Sequence, residues 1–240
     1  MPESPVRRLL PNRTLVRVSS PEATASRTSQ GIGAVKRDRI RTIYDRKAAS
    51  YDCAVGRSER LMLGDLRRRF GAELRGRTLE VAIGSGLNLP YYTGAVTRTV
   101  GIDLSAGMLE QARSRAAELG RALDLLQMDA QRLAFRDGSF DTVAISLSLC
   151  TVPDPAAALR EMARVCRPEG KIVLLEHVLS PVWPVAILER LLAPLQERYI
   201  GCHLDRQTFD LAKQLGFSVE SEQERLAGVF RLAVARPPAL

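Results

Sequence analysis

Five short apolar runs separated by helical stretches constrain this chain more than any other feature. In order they are "TLEVAI" from residue 78, "TRTVGID" from 97, "LDLLQMD" from 123, "FDTVAISL" from 140 and "KIVLLEHV" from 171. The first and last are apolar on both faces, which suits parallel strands covered by helices on each side. "SAGMLEQARSRAAELG" from 105 reads as a helix. So does "PDPAAALREMARVCRPEG" from 153, with proline at its start, an Ala/Leu face and Pro-Glu-Gly at its end. This alternation predicts an α/β fold, a Rossmann-like open sheet that is mostly parallel, with helices on both faces. "DRQTFDLAKQLG" reads as a short amphipathic helix, and "FSVESEQERL" with "VFRLAVARP" as two strands joined near Gly228. They predict an antiparallel C-terminal edge strand.

Upstream, "VKRDRIRTIYDRKAASYD" places Val35, Ile40 and Ile43 at helical spacing, and "RSERLMLGDLRRRFGAEL" reads as a second helix stopped by Gly71. The chain of 240 residues is sized for one domain, placed at 35–236. Its net charge of +8 is concentrated: residues 1–47 hold eleven Lys or Arg against four Asp or Glu, which is +7. Residues 1–34 are therefore expected to form a disordered basic arm, either solvated or touching an anionic surface. The nearly neutral body offers no groove for a nucleic-acid backbone. The first twenty residues lack the apolar core of a secretory signal, which points to the cytoplasm. Cys53, Cys150, Cys166 and Cys202 show no metal-clamp spacing, so free thiols and no metal are expected. Cys150 and Cys166 read as buried structural residues. Residues 180–196, "SPVWPVAILERLLAPLQ", carry only Glu189 and Arg190 as charges. They fit an ordinary core helix, a lid over a pocket, or an amphipathic cover dipping into a membrane interface with Trp183 as anchor.

The stretch "LEVAIGSGLNLPYY", residues 79–92, ends a strand in a Gly-X-Gly turn. A dinucleotide-binding turn needs a small residue where this chain has Leu89, so that a helix can pack on the strand and face a pyrophosphate. Leucine obstructs that packing. The ligand implied has an adenosine and no pyrophosphate to cradle. Asp103, 17 residues past Gly86, is placed to accept ribose hydroxyls, and Glu80 to hold a charged amine directly or through water. S-adenosyl-L-methionine fits. Taken singly, Asp103 and Asp129 equally suit turn or helix caps, and Met108 plain core.

The ordered blocks "LEVAIGSG", "GIDLSAGML", "QMDAQRLAFRDGSFDTVAISLSLCTVPDP" and "LREMARVCRPEGKIVLLEH" resemble the class I S-adenosylmethionine-dependent methyltransferases over roughly residues 40–236. The likeness is to the small-molecule branch that includes quinone C-methyltransferases and bacterial phospholipid N-methyltransferases. It implies that Glu80, Gly84 and Gly86 hold the methionine end and Asp103 the ribose, that Met108 packs the adenine, and that Asp129 with Ala130 reads its edge. Leu104 and Ser146, inside these blocks, join the cofactor set. The family usually has a third glycine where this chain has Asn88. A tyrosine of the leading helix often covers the cofactor in this family, a role for Tyr44 and Tyr51. If the acceptor arrives protonated, a base is needed, and His177 and His203 are the only histidines; these two and Tyr51 are the catalytic candidates.

The expected activity is methyl transfer to a small, largely apolar molecule or a lipid head group, with possible peripheral contact at a membrane. A more local likeness, carried by "SLSLCTVPDPAAALREMARVCRPEGKIVLLEHVLSP" followed at a distance by "GCHLDRQTF", is to membrane-associated alkyl-thiol S-methyltransferases, and makes a small lipophilic thiol the alternative acceptor. The rival classes are a non-catalytic cofactor-binding protein and an NAD(P)-dependent oxidoreductase. "LCTV" stands where base-amino methyltransferases carry an Asp/Asn-Pro-Pro-aromatic block, so no nucleic acid is expected as partner.

Overall fold

The computed structural model describes residues 26–238. In them the alternating runs become one seven-stranded sheet. Its strands are β1 (Gly76–Val81), β2 (Val96–Asp103), β3 (Leu123–Gln127), β4 (Phe140–Ser146), β5 (Cys166–His177), β6 (Ser218–Arg225) and β7 (Phe230–Arg236), in the order β3-β2-β1-β4-β5-β7-β6. β1 to β5 run parallel, and the C-terminal β7 is antiparallel to both its neighbours. The expected hairpin is present, with β6 on its outer side.

Alternate residues of each strand point to opposite faces, and this divides the core in two. Leu79, Val81, Val143, Ile145, Ile172 and Leu174 pack with α4 (Pro155–Val165) and α6 (Thr208–Gln214) through Leu159, Met162 and Phe209. Ala144, Val173, Leu175 and Leu232 face the other way. They meet α1 (Ser26–Leu63), α2 (Leu66–Glu73) and α3 (Ala106–Glu118) through Leu63, Phe70 and Leu109. Helix starts follow their caps: Ser105 accepts from the Met108 N–H, and Asp154, followed by Pro155, accepts from the Ala157 N–H.

Several boundaries differ from the sequence expectations, each for a local reason. α1 begins at Ser26, so residues 26–34 of the expected arm are helical. Elongating a helix already nucleated by packed residues adds one hydrogen bond per residue fixed. Residues 1–25 lie outside the described residues. The break between α1 and α2 falls at Gly64, whose φ is +57°. Gly71 lies inside α2, where a Cβ would collide with the Tyr91 carbonyl oxygen; its glycine serves close approach. α4 stops at Val165 because Cys166 turns extended, so residues 166–170 open β5 instead of closing the helix.

α5 (Trp183–Ile200) overturns the core-helix reading of residues 180–196. Its only buried residue is Glu189, while Trp183 and Leu191 are each 72% exposed.

Candidate active site

Strand order reverses between β1 and β4, and ligands of open α/β sheets bind beyond the carboxyl ends at such a point. A cleft opens there. The turn after β1 gives Ala82 and Gly84, the end of β2 gives Asp103 and Leu104, and α3 gives Met108. Met128 to Gln131 follow β3, Leu147 and Ser148 follow β4, and Ile40, Arg41, Tyr44 and Tyr51 close the cleft from α1. Two of these wall residues carry backbone strain: Ala82 at φ +52° and Leu147 at φ +51° are left-handed without being glycine. Such conformations cost about 1–3 kcal/mol each and persist where the surroundings enforce them. They turn the chain at corresponding points after β1 and β4, where both line the cleft.

Asp103 organises the turn that faces it. Its Oδ2 accepts from the Gly84 N–H at 2.9 Å, and its Oδ1 from the Ser105 N–H at 2.8 Å. A carboxylate has about four acceptor sites, so room remains for ligand hydroxyls. Burial pushes its pKa up to about 6, against the pull of those N–H bonds. Hydroxyl donors favour the ionised form, so cofactor affinity is expected to rise with pH through about 6 and to fall by about tenfold per unit below it. A calorimetric affinity profile that stays flat across that window would remove Asp103 from the site. Stability runs the opposite way. Both Asp103 and Glu80 have folded pKa values raised above those of the free side chains, so their contribution is full below about pH 4 and is lost as pH rises through about 6–7.

Glu80 is not at the cleft wall. It is 1% exposed, behind the turn, where its Oε1 accepts from Asn88 Nδ2 at 2.5 Å and its Oε2 from the Tyr92 hydroxyl. Burial pushes it up to about 7. Asn88 also donates to Ser146 Oγ at 2.7 Å and accepts from Arg67 Nη1 at 2.5 Å, while Arg67 Nη2 reaches Glu59 at 2.6 Å. Neither Glu80 nor Ser146 lines the cleft, and both side chains bond Asn88 behind it. The place of the family's third glycine is thus filled by a buried polar hub. With φ −85° and ψ −21°, that position needs no glycine.

α1 is clasped to the site by a repeat within "YDRKAASYD". Tyr44 and Tyr51, seven residues apart, share one face, their ring centroids 6.1 Å from each other. The aspartates that follow them do the fastening. Asp45 Oδ1 accepts from Ser105 Oγ at 2.6 Å and from the Gly107 N–H at 3.1 Å, at the start of α3. Asp52 accepts from Ser85 Oγ at 2.5 Å and pairs with Arg115. Sequence reasoning found the tyrosines and missed the aspartates, although the seven-residue repeat of Tyr-Asp was there to be read.

Of the other expected residues, Gly84, Leu104, Met108, Asp129 and Ala130 line the cleft, as do the unpredicted Arg41, Gln131, Ser148 and Thr151. Asp129 also serves its turn, accepting from the Gln131 N–H at 2.9 Å, so cap and cleft wall coincide. Gly86 stands behind the wall, where a Cβ would meet Leu89 Cδ1 at 2.8 Å. His177 does not reach the cleft. Its Nε2 faces Cys202 Sγ at 3.1 Å, behind the β4 loop. His203 lines a separate recess with Lys36 and Glu197. Neither imidazole is among the residues that line the cleft, and the recess that holds His203 adjoins it through Ile40, Thr151 and Pro153.

The turn after Gly86 decides what the cleft holds. It runs into a single 3-10 turn, Leu89–Tyr91, and then to β2. No α-helix N-terminus stands there to receive a pyrophosphate. A family model described as "Methyltransferase domain" matches residues 79–174. A phosphatidylethanolamine N-methyltransferase of Cereibacter sphaeroides is 42% identical over 58% of this chain and 70% of its own length. The chain belongs to the class I S-adenosylmethionine-dependent methyltransferases. Its cofactor is S-adenosylmethionine. A demethylmenaquinone methyltransferase of Paenarthrobacter aurescens is 32% identical over 66% of the chain, which spans 63% of that relative's length. The same fold is found in a methyltransferase solved with the Haloferax volcanii Trm112 activator. The TM-score is 0.65 at 18% identity, covering 82% of this chain and 98% of that one.

Proposed function

We propose that this methyltransferase moves its methyl group to the polar head of a lipid presented at a membrane surface, a phospholipid amine or a quinol ring. The observation that carries this is α5, whose polarity is inverted for a helix in water. Leu188, Leu191, Leu195 and Tyr199 are 56%, 72%, 55% and 64% exposed. Glu189 is buried, its Oε2 accepting from the Ser180 N–H at 2.8 Å. An apolar stripe at helical spacing with Trp183 at one end suits a helix lying in the head-group region. No described helix is long and apolar enough to cross a membrane.

The far end of α5 leads to the cleft. Arg39 and Lys47 of α1 donate to the carbonyls of Arg198 and Tyr199 at 2.9 and 3.2 Å, satisfying the helix C-terminus. The recess between the two helices shares Ile40, Thr151 and Pro153 with the main cleft, which supports a route for an acceptor from the exposed stripe. Lys36, Arg39 and Arg41 beside it would attract anionic lipid, at about 1 kcal/mol per cation near the surface. The relatives named above carry lipids as acceptors in their names.

Transfer from a sulfonium is an in-line displacement, so the protein's task is to hold the nucleophile about 3 Å from the methyl and keep water out. Burial raises the hydroxyl pKa of both Tyr44 and Tyr51 above the ordinary value. They stay protonated and act as donors that orient an acceptor, not as bases. Docking is tested by sedimentation with anionic phospholipid vesicles. Replacing both Leu188 and Leu191 by Glu is expected to weaken vesicle binding by about a hundredfold or more, at about 1.5–3 kcal/mol for each side chain. Cofactor binding should be unchanged, since α5 does not line the cleft. Equal vesicle binding by the two proteins would reject α5 as the docking surface.

A further inference from the structure

Outside the cleft, three soft or borderline donors from distant parts of the chain meet. Cys150 lies in the loop after β4, His177 ends β5, and Cys202 follows α5. Their two sulfurs and the imidazole nitrogen all lie within 4.8 Å of one another, with His177 Nε2 at 3.1 Å from Cys202 Sγ. Cys150 and Cys202 are 2% and 6% exposed. Beside them, two polar atoms are buried without a partner: Nδ1 of His177 and Oε2 of Glu176. The other Glu176 oxygen is pinned at 3.0 Å by the N–H groups of Ser148 and Leu149, immediately before Cys150.

We propose that Cys150, His177 and Cys202 form a binding site for a thiophilic d10 cation, zinc above all. Two thiolates and a neutral imidazole match that ion's preference for sulfur and nitrogen. A tetrahedral ion with bonds of about 2.0–2.3 Å needs its donors roughly 3.5–3.8 Å apart, which small side-chain rotations supply here. The balance is two thiols plus one divalent cation giving a neutral metal dithiolate and two protons released to solvent. Zero net charge at the centre makes its burial tolerable, where two bare thiolates would be costly.

The consequence is mechanical. The His203 N–H donates to the Cys150 carbonyl at 3.1 Å, and Arg206 donates to the Leu149 and Val152 carbonyls. The 202–206 segment thus already grips the loop that forms the acceptor-side wall of the cleft through Ser148, Thr151 and Val152. A bound ion would lock that wall to the end of β5. In sequence the ligands are 27 and 25 residues apart, which no spacing rule for metal clamps detects.

The test uses the full chain, reduced and freed of metal, titrated with cobalt(II) as a spectroscopic stand-in and then with zinc. One equivalent of cobalt is expected to release about two protons and to give intense thiolate-to-metal charge-transfer absorption with tetrahedral d–d bands, which zinc then bleaches by displacement with no further proton release. Cys150→Ser and Cys202→Ser should each lose about half of the charge-transfer intensity or all binding, while Cys166→Ser, altering a buried cysteine elsewhere, should keep the full spectrum. If a cysteine variant fails to fold, as judged by lost S-adenosylmethionine binding, wild-type proton release and displacement stand as the measurement. Absence of a thiolate spectrum in the wild type, a spectrum surviving both serine substitutions, or a Cys150–Cys202 disulfide as the only stable state of the pair would overturn the site.

Discussion

Asp103→Ala is expected to weaken S-adenosylmethionine binding by about thirtyfold or more, with the fold retained. A charge-assisted hydrogen bond contributes about 1.5–3 kcal/mol, and this carboxylate stands in the wall of the cleft at the end of β2. Its loss also frees the Gly84 and Ser105 N–H groups that it now fixes at 2.9 and 2.8 Å, so the glycine turn is expected to lose its shape along with the proposed ribose contact. Asp103→Asn should fall between wild type and alanine, because the amide oxygen can accept only one of the two N–H bonds without turning its own donors on the other. Calorimetry reads all three affinities directly. Unchanged affinity in the alanine variant would mean that the carboxylate neither contacts the cofactor nor sets the shape of the turn that binds it.

Asn88→Gly brings the chain into line with the family's usual glycine pattern, and it is expected to damage the protein. Asn88 is 2% exposed and satisfies Glu80, Ser146 and Arg67 together. Glycine would leave a buried carboxylate and a guanidinium short of partners, a loss of about 3–5 kcal/mol for broken buried charge interactions. For a chain of this size that lowers the unfolding midpoint by roughly 6–20 °C. A thermal melt within a degree or two of wild type would show that the hub is dispensable and that the family's glycine and this asparagine are interchangeable.

The fold was legible because strand and helix alternation is a pattern of whole segments. β1 to β5, the terminal hairpin and helices α3 and α6 all stand within a few residues of their sequence runs. The lining of the cleft was legible where a residue follows closely on a strand end, as for Gly84, Asp103 and Asp129. Roles set by contacts between distant segments were not. Glu80 lies one residue before Val81 at the end of β1, yet its side chain is claimed by Asn88 and Tyr92. His177 ends a strand at the correct edge of the sheet, but it meets Cys202 instead of the cleft. Hydropathy alone left residues 180–196 open between core helix, lid and interfacial cover, and only the burial of Glu189 with the exposure of its neighbours shows which face is turned outward.

The acceptor reading is tested most directly by following a labelled methyl group. The full chain is incubated with methyl-tritiated S-adenosylmethionine and three acceptors offered separately: vesicles containing phosphatidylethanolamine, vesicles containing a demethylated quinol, and a soluble alkyl thiol. The prediction is label extracted into the organic phase from one of the vesicle samples, falling when Leu188 and Leu191 are both changed to Glu. Label transferred only to the thiol, at a rate indifferent to those substitutions, would contradict it.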